Sequence, residues 1–205
     1  MWQERLTEFI TLLVVINPFG VLPVFLAAAG GFDRTRQRHV ATLAVVVSFA
    51  VLVFFIVAGG FLLEKMGVPL RAFQISGGIV LFVFALGMVQ GETHAPKEEA
   101  GVSTAEIAVY PLAIPKIAGP GAMLSAILLT DDDRFDFIEQ GQTILVLAVV
   151  LLITWLVLLG ASPIARRIGP SGTNVIGRVM GIVLASLAVN MVLSAVVSWL
   201  NLPKL

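Results

Sequence analysis

Pro115-Lys116-Ile117-Ala118-Gly119-Pro120-Gly121 lies in the middle of an otherwise apolar run from about Ala105 to Leu129. A run of that length is enough to cross a bilayer, whose hydrocarbon takes about 20 helical residues. Its centre is poor material for a continuous helix. A proline has no N–H and its ring pushes against the carbonyl four residues earlier. Pro111, Pro115 and Pro120 therefore take the usual donors from the carbonyls of Ile107, Pro111 and Lys116. Hydrocarbon tolerates such freed groups only where protein or a water-lined cavity surrounds them. The stretch predicts a broken transmembrane helix whose gap faces the protein interior.

The rest of the composition agrees with a membrane setting. Of 205 residues, 58% are hydrophobic and 13% charged, about half the charged share of an ordinary soluble domain. Mean hydropathy is +1.00. Net charge is formally zero, which gives no footprint for nucleic acid, and there are no cysteines for disulfides, thiolate metal sites or nucleophiles. His39 and His94 both fall in predicted loops. An intramembrane serine protease needs a serine and a histidine facing each other at depth, and metal-dependent or aspartyl chemistry needs buried ligands or carboxylates. The sequence offers neither, so no enzyme, cofactor or metal is expected.

Six spans follow in one membrane domain, 1–205: about Leu6–Ala28, Val40–Leu63, Ala72–Gly91, Ala105–Leu129, Thr143–Ala165 and Val175–Leu200. Ala27-Ala28-Ala29 imitates a signal-peptide cleavage site, but Glu4 and Glu8 flank Arg5, the apolar run is too long, and Asn17-Pro18 interrupts it. Arg178 lies one turn inside the last span and is expected to snorkel to the headgroups. Basic residues set orientation. Arg34, Arg36, Arg38, Lys97, Arg166, Arg167 and Arg178 fall on one face; Arg5, Lys65, Arg71, Arg134 and Lys204, diluted by acids, fall on the other. The first face is placed in the cytoplasm, with both termini outside.

The halves of the chain resemble each other. A shift of 102 puts Pro18 on Pro120 and Leu22 on Leu124. A shift of 103 puts Gly78, Ile79, Val80, Leu81, Ala85 and Met88 on Gly181, Ile182, Val183, Leu184, Ala188 and Met191. Three spans per copy is an odd number, so the second copy (about 102–205) enters the membrane from the side opposite to the first (about 1–95). The predicted fold is an all-α integral membrane protein of six transmembrane helices, two inverted three-helix repeats with helices 1 and 4 broken. Inverted repeats with a broken helix in each point to a secondary transporter.

After each break a half-helix restarts, at about Phe19 and Gly121, with its first N–H groups unpaired. Pro18 and Pro120 suit such starts. The two helix N-termini then present partial positive charge at mid-membrane, where a carboxylate is the natural guest. Carbonyls freed by Pro18, Pro23, Pro115 and Pro120 can face an ammonium or a cation. The candidate substrate-binding residues are Asn17, Pro18 and Gly20 at the first break, Lys116, Ala118, Gly119, Pro120 and Gly121 at the second, and Asn190 halfway along span six. Each has a plainer reading. Asn before a helix start usually caps it, and a mid-span Asn such as Asn190 usually bonds a neighbouring helix. Gly77-Gly78 and Gly177/Gly181 serve close helix packing.

Asn17-Pro18-Phe19-Gly20-Val21-Leu22-Pro23 and Pro111 through Gly121 resemble the signature motifs of the MarC family, and Gly177-Arg178-Val179-Met180-Gly181-Ile182 is similar to that family's last helix. The resemblance covers essentially the whole chain. It implies a multi-pass protein of the bacterial inner membrane, grouped with amino-acid exporters and related to transporters of small neutral amino acids such as glycine and alanine. Family members usually carry an apolar residue where this chain has Lys116. A mid-membrane lysine costs about 2.5–3.5 kcal/mol on insertion scales and is a functional candidate by default. It can pin a substrate carboxylate, titrate in proton coupling or replace a coupling cation. Its stem can equally reach the polar gap and satisfy freed carbonyls. The expected partners are a small solute and the bilayer, with coupling to H+ or Na+ and association into a homo-oligomer left open. A drug or metabolite exporter and a non-transporting regulatory subunit are the alternatives.

Overall fold

Backbone interruptions at Asn17, Ala118-Gly119 and Gly169 divide the chain. The computed structural model describes residues 2–91, 103–130 and 137–200, and every regular element within them is helical. Lys97, His94, Arg134 and Lys204, used above for charge and loops, lie outside these residues, as do the side chains of Arg166, Arg167 and Gly177.

Helix α1 (Trp2–Ile16) and α2 (Pro18–Ala29) are separated by Asn17 alone. α3 (Arg34–Lys65) starts at Asp33, whose carboxylate accepts from the N–H groups of Thr35 and Arg36. α4 (Leu70–Gln90) closes on Gly91 at φ 79°, the left-handed conformation that glycine adopts without penalty. The Arg178 guanidinium lies beside Gly91, at the negative end of the α4 dipole. α5 (Thr104–Ile107) opens with a capping box between Ser103 and Glu106.

The next ten residues, Ala108–Ile117, wind in wide irregular turns, with Tyr110 and Ile114 extended. Each of these precedes a proline, which disfavours the helical conformation in the residue before it. α6 (Pro120–Leu128) continues at a 55° bend. α7 (Phe137–Leu159) and α8 (Ala161–Trp199) complete the chain. Among the described residues five helices are long and apolar enough to cross a membrane, or six if the bent pair Thr104–Ile117 and Pro120–Leu128 is one span.

One boundary differs from the sequence reading. The fifth span ends at Leu159, not Ala165, and the residues between the expected fifth and sixth spans are helical except at Gly169, φ 75°. A single glycine supplies the reversal, and Pro170 behind it lacks only an N–H that a first helical turn leaves unpaired anyway.

The most extensive packing joins α4 and α8. Leu81 and Ala85 of α4 meet Leu184, Ala188 and Met191 of α8, with Leu124 of α6 at the edge. Two glycines set the approach. A Cβ on Gly78 would lie 2.7 Å from Val192 and 3.0 Å from the Ala188 carbonyl oxygen. A Cβ on Gly181 would lie 2.9 Å from Val89 and 3.0 Å from the Ala85 carbonyl oxygen. The shift of 103 that maps Gly78 onto Gly181 also maps Ala85 onto Ala188 and Val89 onto Val192, so the two contacts exchange under it. Gly77 admits a different neighbour, the Pro120 ring.

Elsewhere α3 packs against α7, the 108–117 segment and α6, while α2 packs against α7 and α8. α1 lies against α7 and α6. Two side-chain bonds fix the bent pair along α3: Arg36 Nε donates to Thr104 Oγ1 at 3.2 Å, and Thr130 Oγ1 donates to the Ile56 carbonyl at 3.2 Å.

Candidate functional site

At the first break Asn17 adopts φ 49°, ψ 71°, a left-handed conformation that Asn tolerates better than most residues. Its N–H still bonds the Leu13 carbonyl, and the Gly20 N–H donates to both the Asn17 carbonyl (2.9 Å) and Oδ1 (3.1 Å). Asn17 is thus the cap of α2, the plainer of its two readings. Its Nδ2 lies 3.9 Å from Met180 Sδ on α8. A Cβ on Gly20 would lie 2.5 Å from that amide, so a larger residue displaces the cap. Asn17→Ala removes one charge-free cap bond and should cost about 1 kcal/mol, read as a lower thermal midpoint in detergent.

The second break is built differently. The Ala118 N–H reaches back five residues to the Ala113 carbonyl at 2.8 Å. The Pro115 carbonyl points at Gly119, where a Cβ would sit only 2.3 Å from the oxygen; glycine is required there. Gly119 supplies no side-chain cap, and the first bond into α6 runs from Met123 N–H to Gly119 O. The N–H groups of Gly121 and Ala122 precede that bond and have no helical acceptor. Both residues are buried. Of the two helix starts, the first is capped by its own asparagine and the second is not.

The two breaks are neighbours. A Cβ on Gly121 would lie 3.2 Å from Val15 Cγ1, two residues before Asn17, and 3.5 Å from Met191 Sδ. Pro18, Gly20, Ala118, Gly119 and Gly121 are buried, while Asn17 and Pro120 are half-buried. Around them stand Met180 and Met191 of α8 and Gly77 of α4.

Two sequence candidates sit elsewhere. Lys116 is 7% exposed, and its ammonium lies over the Phe84 ring of α4, 5.7 Å from the centroid, within cation–π range. Among the described residues it has no hydrogen bond or ion pair. Phe84 is seven residues past Gly77, about 10 Å along α4 at 1.5 Å per residue. Asn190 is exposed on the outer side of α8. Gly181, Leu184, Ala188, Met191 and Ala195 form the buried face of that helix, and 100° per residue carries position 190 to the other side. Among the described residues no hydrogen bond joins Asn190 to a neighbouring helix.

The sequence reading missed a polar cluster on α1 and α7. Arg5 Nη1 donates to Glu8 Oε1 at 2.7 Å and to Thr143 Oγ1 at 3.3 Å, and Thr143 Oγ1 donates to Glu8 Oε2 at 3.4 Å. Glu8 and Thr143 are buried. The Arg5/Glu8 spacing of three was a legible helical pair; its connection to Thr143 was not. Among the described residues no group of three His, Cys, Asp or Glu side chains is placed to hold a metal.

The chain was compared with known proteins. A family model described as MarC family integral membrane protein matches residues 2–200. The UPF0056 membrane protein MJ1677 of Methanocaldococcus jannaschii is 34% identical over 198 residues, covering 95% of this chain and 96% of that protein. A UPF0056 membrane protein of Aquifex aeolicus is 34% identical over 203 residues, 93% and 94% of the two chains. The UPF0056 membrane protein YvbG of Bacillus subtilis is 30% identical over 190 residues, 90% of each. No solved structure matches.

Proposed function

Because the chain belongs to the MarC family of integral membrane proteins, we propose that it is a multi-pass secondary transporter of small solutes, with small neutral amino acids of the glycine and alanine class as substrates. The observation that carries this reading is the placement of two helix interruptions against each other, Gly121 on the last turn of α1. Helix starts facing inward at mid-membrane are the elements from which carriers build substrate sites. The uncapped N–H groups of Gly121 and Ala122 offer a carboxylate two donors. Lys116, buried four residues before Pro120, adds a positive field to the same region.

Alternating access needs two halves that move against each other, and the contacts support an inverted repeat. α2 on α8 has its counterpart in α6 on α4; α2 on α7 has its counterpart in α6 on α3; and α1 on α7 has its counterpart in the 108–117 segment on α3. The exchange of Gly78 and Gly181 contacts obeys the same rule. Inversion requires that the bent pair cross the membrane. Its start is tied to Arg36 and its end to Ile56 of one continuous helix. Those anchors are about 30 Å apart at 1.5 Å per residue, the thickness of the hydrocarbon. Six crossings would put both termini on one side, and the distribution of basic residues favours the outside for it. Cysteines introduced at Trp2 and at Lys204 should therefore react with an impermeant maleimide from the same face; reaction from opposite faces means five crossings.

Purified protein in liposomes tests the function, with glycine and alanine offered under proton and sodium gradients. Saturable uptake above that of empty liposomes is expected. Movement of lipophilic cations but not amino acids would replace the reading with drug export, and no movement together with a co-purifying partner would replace it with a regulatory subunit.

A further inference from the structure

The start of α3 carries Arg34, Arg36 and Arg38, immediately before its apolar run begins at Val40. The three are unequally committed. The Arg36 guanidinium lies over the Phe32 ring, 3.7 Å from the centroid, and its Nε donates to Thr104. Arg34 and Arg38 are exposed, and among the described residues neither makes a hydrogen bond or an ion pair. The adjacent carboxylate of Asp33 is engaged with the N–H groups of Thr35 and Arg36.

Arg34, Arg38 and Thr42 stand on successive turns along one face of α3. Thr42 shows what that face meets: its Oγ1 accepts from Trp155 Nε1 of α7 at 3.0 Å. One turn further toward the helix ends, Arg34, Gln37 and Arg38 line a shallow crevice with Leu158 and Leu159, the last residues of α7, and Pro163 of α8. The Gln37 amide already donates to the carbonyls of Gly30 and Phe32. The crevice has a volume of about 60 Å³, far below what a drug-sized molecule fills, so it seats one group of something larger.

Two features identify that larger molecule. The crevice opens at the end of an outward apolar row: Leu145, Leu152 and Leu159 recur at heptad spacing, which returns to nearly the same side of a helix. Leu145 and Leu152 are exposed, as hydrocarbon-facing residues are. The charge at the crevice is of one sign. No Asp or Glu follows Glu139 in the chain, so the α8 side chains beyond Pro163 bring no acid to it. Two guanidinium groups about 6 Å apart along α3 match a phosphate, and a phosphate at the edge of hydrocarbon belongs to a phospholipid. An anionic headgroup gains from both arginines, whereas the ammonium of a zwitterionic one meets them as like charge.

We propose that this crevice holds the phosphate of an anionic phospholipid, with Arg34 and Arg38 on the headgroup and the acyl chains along the Leu145, Leu152 and Leu159 row of α7. The inference does not depend on the transport reading.

Trp155, one turn from the crevice, is a built-in reporter. The other two tryptophans are exposed and are removed as Trp2→Phe and Trp199→Phe. The full chain in this background is reconstituted in vesicles of phosphatidylcholine and phosphatidylglycerol, with bromine on the acyl chains of one lipid and then of the other. Quenching of Trp155 reads which lipid lies beside it. Phosphatidylglycerol should be preferred roughly tenfold or more. Arg34→Gln with Arg38→Gln should bring the preference close to one, at exposed and unbonded positions where folding is not at stake. Arg71→Gln, also exposed but at the start of α4, should leave it unchanged. Equal quenching by the two lipids, an undiminished preference in the double variant, or as large a loss in Arg71→Gln would overturn the proposal. Relief of the quenching by inorganic phosphate would overturn it too, by making a soluble anion the occupant.

Discussion

Leucine at Gly78 should destabilise the protein by about 3 kcal/mol, at the upper end of what overpacking costs. The obstacle is backbone: the added Cβ meets the Ala188 carbonyl oxygen at 3.0 Å, besides Val192 at 2.7 Å. A rotamer change relieves the second contact but not the first, so α4 and α8 must separate. In a protein of this size such a loss lowers the thermal midpoint by roughly 6–12 °C. Gly181→Leu should do the same, because it meets the Ala85 carbonyl at 3.0 Å from the other helix. Gly141→Leu is the control. Nothing lies within 4 Å of a Cβ there, and leucine is a better helix former than glycine by several tenths of a kcal/mol, so that variant should be at least as stable as the native chain. If Gly78→Leu melts with Gly141→Leu, the tight α4–α8 seam is wrong.

Lys116→Leu should raise the KM for a carboxylate-bearing substrate about tenfold or more while membrane insertion is unaffected. The size follows from Coulomb's law: unit charges about 10 Å apart interact by about 1.7 kcal/mol at an effective dielectric constant of 20. The substitution also removes a mid-membrane cation that costs about 2.5–3.5 kcal/mol to insert, so stability should hold or rise. Lys116→Arg keeps the charge and should keep most of the affinity. These readouts separate a role in transport from one in packing: a structural lysine would change the melting point and leave KM alone. A native KM in Lys116→Leu removes this residue from the mechanism.

Proline and glycine made the interruptions legible, because their effects on backbone geometry are local. Asn17 stands between α1 and α2, and Gly119 directly precedes α6. What was not legible depends on which face of a helix meets which neighbour. Asn190 read as an inward polar group because its depth is visible in the sequence and its azimuth is not. The contact of the Lys116 ammonium with Phe84 was not legible either, because it joins two segments far apart in sequence. Glu8 read as a flanking charge because its partner Thr143 is 135 residues away.

The absence of native cysteines makes one measurement direct. Ala118→Cys places a single thiol at the second break, at a residue fully buried in this conformation. In sealed vesicles of either orientation, an impermeant maleimide should label that thiol slowly from both faces, and glycine or alanine should protect it. Labelling from one face only, or from neither while the protein is correctly inserted, would contradict a mid-membrane site opened alternately to the two sides.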